Sequence, residues 1–309
     1  MRSLPGHPAP RSHAAVLSAL ALGGMIALPL AAQAQVRGDE YFAQTFDVGT
    51  TAMIDVNVSD ADVRVDSHSG DGVEVRVMIR SGDPDDGRDY FEAMGFEASA
   101  SGNRVTVEAR DPQMGRDWWR GGREAGATVW ISAPEGVDLD VHTSDGDIAL
   151  GDFDGDVSVR TSDGDVMAGR LSGRRVTIQS SDGDLNVERI AGGNAELRTS
   201  DGDVEVVLAG GSLEAQSGDG DLTVELDAES EVRLRTGDGD IALYIPADFG
   251  AELLLQGEDL DIDRDVRIHG RISEGRIEGT LNGGGPTVEA RTGDGTISIR
   301  SRGGAAPVR

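Results

Sequence analysis

From Val137 onward, apolar and polar residues alternate in short runs, and the runs recur at a fixed interval. Leu139, Val157, Val176, Ala195, Leu213 and Val232 form one apolar column, and Val141, Val159, Ile178, Leu197, Ala215 and Leu234 form the next. Beyond a turn come Ile148, Val166, Leu185, Val204, Leu222 and Ile241, then Leu150, Ala168, Val187, Val206, Val224 and Leu243. Alternation of period two marks half-buried strands, so each repeat predicts two short strands with every second residue facing inward. No repeat of this size buries its own apolar face, so neighbouring repeats must supply the core. If successive repeats pair as strands, about 4.8 Å apart, like residues stack on like. The expected fold class is all-β: a parallel β-solenoid (β-helix-like) of 18–19-residue coils with an N-terminal β-rich cap.

The turn between the two strands is Thr143-Ser144-Asp145-Gly146-Asp147-Ile148, and related copies begin at Thr161, Ser180, Thr199, Ser217 and Thr236. A frayed copy begins at Thr292. The central glycines fall at 146, 164, 183, 202, 220 and 239. Each copy keeps nine residues across this turn, as from Leu139 to Ile148 or Val232 to Ile241, while the opposite turn varies by one residue. One corner is therefore held to a fixed geometry and the other is tolerant. Turn chemistry predicts aspartates accepting from backbone N–H groups two residues on, with the glycine supplying a positive φ. The Thr/Ser column 143, 161, 180, 199, 217 and 236 is expected inside, as a hydroxyl ladder on the corner backbone.

Upstream, residues 35–135 hold further alternating runs: Thr51–Val58, Ala61–Val65, Gly72–Ile79, Arg104–Glu108 and Ala127–Ile131. A short helix fits Asp85 to Met94, with Tyr90, Phe91 and Met94 on one face. Gly and Pro make 111–126 a loop, which carries Trp118-Trp119 among Arg116, Arg120 and Arg123. The expected division is a signal peptide at 1–34, a β-rich cap at 35–135, the repeat region at 136–300 and a disordered tail at 301–309. Within the repeat region, the stretch Gln256–Pro286 reads as irregular, and Val288, Ala290, Ile297 and Ile299 as one last coil.

The case for export rests on the segment 1–34. A basic start at Arg2 and Arg11, an apolar run from Ala14 to Leu30, and Ala32-Gln33-Ala34 before Gln35 fit a cleaved secretory signal. No later run approaches the ~20 apolar residues of a membrane helix, so none is expected in the mature chain. The chain has no cysteine, so disulfides contribute nothing to its stability. Its formal charge is −28, and all 28 basic residues are arginine. That balance disfavours nucleic acid and anionic membranes and favours cations.

Three groups of residues carry candidate chemistry. The aspartates 145, 163, 182, 201, 219 and 238, and 147, 165, 184, 203, 221 and 240, form two ladders. Neighbours about 4.8 Å apart repel by about 0.9 kcal/mol in water. The ladders read either as turn chemistry offset by nearby arginines or as hard oxygen ligands for Ca²⁺. The outward column His142, Arg160, Gln179, Arg198, Gln216 and Arg235 reads as charge management beside the ladder, or as a groove for an acidic polysaccharide. The Trp118-Trp119 loop reads as a plug for the end of the solenoid, or as the best single partner contact. Of the histidines past residue 34, His68, His142 and His269, none has a nucleophile at a recognisable spacing. No residue is assigned as catalytic, cofactor-binding or metal-ligating.

The export signal, the β-rich lead-in, the strand end at Ala133-Pro134, the Ser-x-Gly-Asp turns and Tyr244-Ile245-Pro246-Ala247 together carry a likeness. They resemble the bacterial putative-adhesin family of β-strand-repeat proteins, of the domain-of-unknown-function 4097 type, over residues 45–300. The resemblance implies a β-helix-like fold on an extracytoplasmic protein. The expected function is an exported, non-enzymatic adhesin or envelope scaffold without a cofactor, in the periplasm or at the cell surface. Its partner is an envelope protein or glycan. The alternatives are a Ca²⁺-stabilised structural module and a polysaccharide-degrading enzyme on a β-helix.

Overall fold

The structure, a computed structural model, describes residues 38–115, 118 and 124–302. The expected signal peptide, the tail beyond residue 302, and Arg116, Trp119, Arg120 and Arg123 lie outside the described residues. The described residues belong to one compact unit, with no break at residue 135.

Alternating sequence becomes strand almost throughout. The first part holds β1 (Asp39–Phe46), β2 (Met53–Asn57), β3 (Asp62–His68), β4 (Val73–Ser81), α1 (Pro84–Met94), β5 (Glu97–Ser101), β6 (Arg104–Glu108) and β7 (Ala125–Pro134). The repeats give β8 (Asp138–His142), β9 (Ile148–Leu150), β10 (Val157–Arg160), β11 (Val166–Leu171), β12 (Arg175–Gln179), β13 (Leu185–Ile190) and β14 (Asn194–Arg198). They continue as β15 (Val204–Leu208), β16 (Ser212–Gln216), β17 (Leu222–Leu226), β18 (Glu231–Arg235) and β19 (Ile241–Pro246). The last part holds β20 (Ala251–Gln256), β21 (Asp259–Ile262), β22 (Ile268–Ser273), β23 (Arg276–Leu281), β24 (Thr287–Arg291) and β25 (Thr296–Arg302).

These strands form two sheets. One runs β1-β4-β7-β3-β9-β11-β13-β15-β17-β19-β25-β21, and the other β22-β23-β20-β24-β18-β16-β14-β12-β10-β8-β2-β6-β5. From β8 to β19 each repeat adds one strand to each sheet, always parallel to the last, so the chain rises in rungs. The pairings follow the apolar columns: Val157 faces Leu139 and Val176, and Val166 faces Ile148 and Leu185. The inward residues are buried, and they meet between the sheets. A fifth column of Phe153, Leu171, Ile190, Leu208 and Leu226 lines the tolerant corner.

Both ends depart from sequence order. Residues 53–68, expected in the cap, form a rung: Ile54 pairs with Leu139, and Val63 with Ile148. Their corner, Ser59-Asp60-Ala61-Asp62, is a further copy of the repeated turn. β6 and β7 stack outside that rung, and the chain then turns back inward to β8. At the other end, residues 256–286 are largely strand rather than irregular chain. The rung of β24 and β25, expected last, is inserted between β18/β19 and β20/β21. The helix starts on Asp83, whose carboxylate accepts from the Asp85 N–H, and it ends at Gly95 in the left-handed region. It covers the first end with Tyr90 and Met94 buried, and Phe91 stacks on Tyr41 at 5.7 Å.

The fixed corner is set by three devices. Each Thr or Ser hydroxyl donates to carbonyl oxygens of the preceding rung and accepts from the glycine N–H three residues on. Thr199 Oγ1, for instance, lies 3.1 Å from Ser181 O, 3.0 Å from Gly183 O and 3.2 Å from Gly202 N. The second aspartate of each turn accepts from the backbone N–H of its counterpart one rung later. Asp165 N lies 3.0 Å from Asp147 Oδ1, Asp203 N 2.8 Å from Asp184 Oδ1, and Asp240 N 2.7 Å from Asp221 Oδ1. That acceptor role reaches 18 or 19 residues along the chain, not the two expected of a local turn. The third device is the glycine, and its reason also differs from expectation. None of the six central glycines has a positive φ. A Cβ on Gly164 would instead sit 2.0 Å from Gly146 O, and one on Gly183 2.0 Å from Gly164 O. The rungs pass too close for any side chain. Ala61 is tolerated because no copy of the turn lies beneath it. The positive-φ glycines 192, 193, 210 and 211 belong to the tolerant corner.

Gly183→Ala should therefore lower stability by about 1–3 kcal/mol or more in urea denaturation, as overpacking against backbone does. Gly115→Ala, where a Cβ meets nothing within 4 Å, should change it by less than about 0.5 kcal/mol. Equal effects at the two positions would sink the close-approach account.

Candidate functional site

The aspartate ladders are corner pieces first. Each cross-rung N–H bond contributes about 0.5–1.5 kcal/mol net. That is the size of the repulsion, about 0.9 kcal/mol, between carboxylates stacked at strand spacing in water. The first aspartates, 145, 163, 182, 201, 219 and 238, project into solvent. Among the described residues no arginine comes within ion-pair distance of either ladder. Nor do any three of the described Asp, Glu and His residues stand close enough together to hold a metal ion. Burial and like charge meet where the ladder begins. Partial burial raises the Asp60 carboxyl above its ordinary value, and the nearby charges of Asp111 and Asp145 raise it further. Burial also raises Asp62, against the pull of its bond from the Asp147 N–H. Burial and the same carboxylates push the Tyr90 phenol up to about 12.

The arginine column is neutralised on its own face, by acids of the neighbouring outward column rather than by the ladders. Arg160 lies 3.9 Å from Asp140, Arg198 2.5 Å from Glu196 and 3.5 Å from Glu214, and Arg235 3.4 Å from Glu289. Glu289 receives Arg233 and Arg291 as well. Burial works to raise its carboxyl, but the bonds from Arg233 and Arg235 and the charge of Arg291 outweigh that and hold it low. These cations are already committed to fixed partners.

Trp118 is only 7% exposed and packs near Tyr90, with ring centroids 6.2 Å apart. Trp118 is thus part of the buried core, and Trp119 with its arginines lies outside the described residues. A third tryptophan, with no motif around it in the sequence, shows on the outer face of β7. Trp130 is flanked by Arg64 and Arg76, at 5.2 and 5.1 Å from its ring, in cation–π contact. The three histidines stay apart on separate elements: His68 at the end of β3, His142 at the end of β8, and His269 in β22.

The remaining feature is the far end of the stack. Leu260 and Ile262 of β21 continue two inward columns, pairing with Ile297 and Ile299. On the facing sheet, Leu255 of β20 continues another, pairing with Ala290. Beyond this rung the sheets part company. The second sheet adds β23 and β22, antiparallel, with Ile277 beside Leu255 and Ile272 beside Ile277. The first sheet stops at β21. Two strands of overhang amount to about 9.6 Å. Beneath them opens a cleft of about 830 Å³, with Leu260, Ile262, Val266, Ile268, Ile272 and Ile277 in its walls. Leu260 and Ile262 are half-buried there, although the same columns are fully buried elsewhere, and Ile272 is 63% exposed. The rim is charged: Glu258, Asp259, Asp261, Asp263 and Glu274 face Arg264 and Arg267. Asp261 pairs with Arg300 at 2.6 Å, and that bond holds its carboxyl below the usual range. No sequence motif announces the cleft, because it arises from unequal strand counts at one end.

The model of the Toastrack family, domain of unknown function 4097, matches residues 51–300 of this chain. Among proteins with curated functions, none matches. Solved structures with a likeness include a putative adhesin from Bacteroides fragilis, 14% identical, covering 84% of this chain and 96% of that one, with a TM-score of 0.48. A putative lipid binding protein from Parabacteroides distasonis is 10% identical, with coverage of 85% and 98% and a TM-score of 0.42. A putative adhesin from the same organism is 10% identical, with the same coverage and a TM-score of 0.38.

The raised Asp60 carboxyl yields a prediction with a definite sign. A carboxyl that holds its proton more tightly when folded costs stability above its folded pKa. That cost fades as pH falls through this value toward the ordinary 3.8. Asp60→Asn should therefore melt above the parent protein at pH 7, and the gap should close on acidification. A gap that stays constant with pH, measured by thermal unfolding, would assign the gain to something other than charge.

Proposed function

Because the chain belongs to the Toastrack family of domain of unknown function 4097, we propose that it is an exported, non-enzymatic binding protein of the cell envelope. Its scaffold is a parallel β-solenoid of 18–19-residue coils, and its role is adhesin-like. The observation that carries this reading is the cleft at the β20/β21 end. A stack of near-identical rungs buries its apolar columns everywhere else, and here it leaves them open beside an unpaired strand edge. Exposed apolar surface of this kind, rimmed by charge, marks an interaction site. The signal-like segment 1–34 and the acidic surface fit an extracytoplasmic setting, periplasmic or at the surface. No helix among the described residues is long and apolar enough to cross a membrane. The partner is an envelope protein or glycan.

Catalysis is the weaker reading. The residues that gather at the cleft are aliphatic, with aspartates, glutamates and arginines at the rim and His269 alone among the histidines. The scaffold also works without metal in this proposal, since the second carboxylate of each turn already accepts a backbone N–H group. Millimolar Ca²⁺ should leave the thermal midpoint unchanged, whereas a specific site would raise it with metal concentration.

The binding role is tested with the chain from residue 35 onward, purified and mixed with envelope fragments of its own cell. It should co-sediment with them in a saturable way. Recovery entirely in the supernatant, at every salt concentration, would remove the adhesin-like role.

A further inference from the structure

The cleft has a shape and a charge pattern that select one kind of occupant. Resting on the binding role just proposed, we propose that the free edge of β21 accepts a β-strand from a partner protein. This strand alternates apolar and basic residues, and it extends the first sheet under the overhanging β22–β23 hairpin.

Three observations lead there. The first is the missing strand position. β20 and β21 belong to one rung, yet only β20 is followed by further strands, so the next position on the first sheet is vacant. A free edge presents unpaired backbone groups at strand spacing, which is what an added strand needs. The second is the apolar lining on both sides of that position. Leu260 and Ile262 lie below it, and Ile277 and Ile272 of the hairpin stand opposite. An inserted strand would continue the inward columns by one step, with the same period of two.

The third is charge. Residues of β21 that alternate with Leu260 and Ile262 are Asp259 and Asp261, with Glu258 and Asp263 flanking them. Asp261 already holds Arg300, so Asp259 is the β21 carboxylate left for a strand in step with the apolar positions, where a basic side chain forms a cross-strand pair and an acidic one is repelled. Arg264 and Arg267 stand at the rim with Glu274, so acids still outnumber cations around the cleft. This balance disfavours an anionic amphiphile, the other occupant that an apolar cleft admits. It also disfavours a second copy of β21, whose aspartates would meet these.

The test uses the full chain from residue 35 and fluorescently labelled synthetic peptides. One alternates valine and arginine, a second has the same composition in two blocks, and a third alternates valine and glutamate. The alternating valine–arginine peptide should bind at least tenfold tighter than the block isomer, about 1.4 kcal/mol. The valine–glutamate peptide should bind more weakly than either. The first peptide should also slow hydrogen exchange at the Leu260 and Ile262 amides. Ile272→Ser, at a position 63% exposed and so tolerant of change, should weaken that binding about tenfold. Met167→Ser, 60% exposed on the outer face of β11, should leave it unchanged. Equal binding of the two isomers would reduce the effect to charge attraction and overturn the proposal. So would binding indifferent to Ile272→Ser, or uptake of a fluorescent fatty acid without peptide binding. If Ile272→Ser retains full envelope co-sedimentation, the binding role stands and the strand site falls. If the parent chain fails to co-sediment while the peptide result holds, the reverse applies.

Discussion

The whole stack depends on how closely successive rungs approach at one corner. With a Cβ on each central glycine falling about 2 Å from the carbonyl oxygen beneath it, the backbones are in contact and nothing can be inserted. That contact fixes where each strand begins. It keeps the span across this corner invariant and leaves the opposite corner to absorb any change in length. The hydroxyl of Thr or Ser and the carboxylate of the second aspartate act on the same contact from either side, one before the glycine and one after it. Together they leave the corner no freedom to slip by a single position, a slip that would turn every apolar column outward.

Much of this is legible in the sequence because the columns are periodic. The four columns drawn from the repeats pair as expected, from Leu139 with Val157 to Ile241 with Leu222. The hydroxyl ladder is legible for the same reason. What breaks the period, or lies across it, stays hidden. The fifth column is one such case: its residue stands five places after the first inward residue of its strand in Leu171 and Ile190, but four in Leu208 and Leu226. The glycines are another. A sequence shows the turn around each glycine and hides the rung beneath it, so conformation looks like the reason when close approach is. The first rung hides for two reasons. Its corner has Ala61 where the other copies have glycine, and β4 to β7 intervene before β8 takes up its pairing. The span from Ile54 to Val63 nonetheless equals that from Leu139 to Ile148.

Charge is handled differently on two surfaces of one acidic protein. On the outer face of the second sheet, arginines and carboxylates alternate closely enough to pair side chain to side chain, with Glu289 drawn in beneath three guanidinium groups. At the corner, backbone N–H groups take the place of arginines as partners. The difference follows from geometry. A strand face offers lateral neighbours in the next column, whereas a corner offers only the rung above and below. The first aspartates of each turn project away from both, and they set the surface potential along that edge. The raised carboxyls of Asp60 and Asp62 show the cost where the ladder meets the buried helix end.

A repetitive stack differs in its chemistry chiefly where repetition stops. At the first end the chain supplies α1, Trp118 and the antiparallel strands β1, β4 and β5, and the apolar columns are closed over. At the second end it inserts a late rung beneath an early one and then extends only one sheet. The construction leaves Leu260 and Ile262 covered on one side alone, although the same chain buries their counterparts in rung after rung. An open end of this kind is an aggregation hazard unless something meets it or wards it off. The aspartates of β21 do the second for copies of the chain itself, since two such edges repel. What they repel in an acidic strand they attract in a basic one, so the same residues that keep the stack from growing on itself define what it can accept.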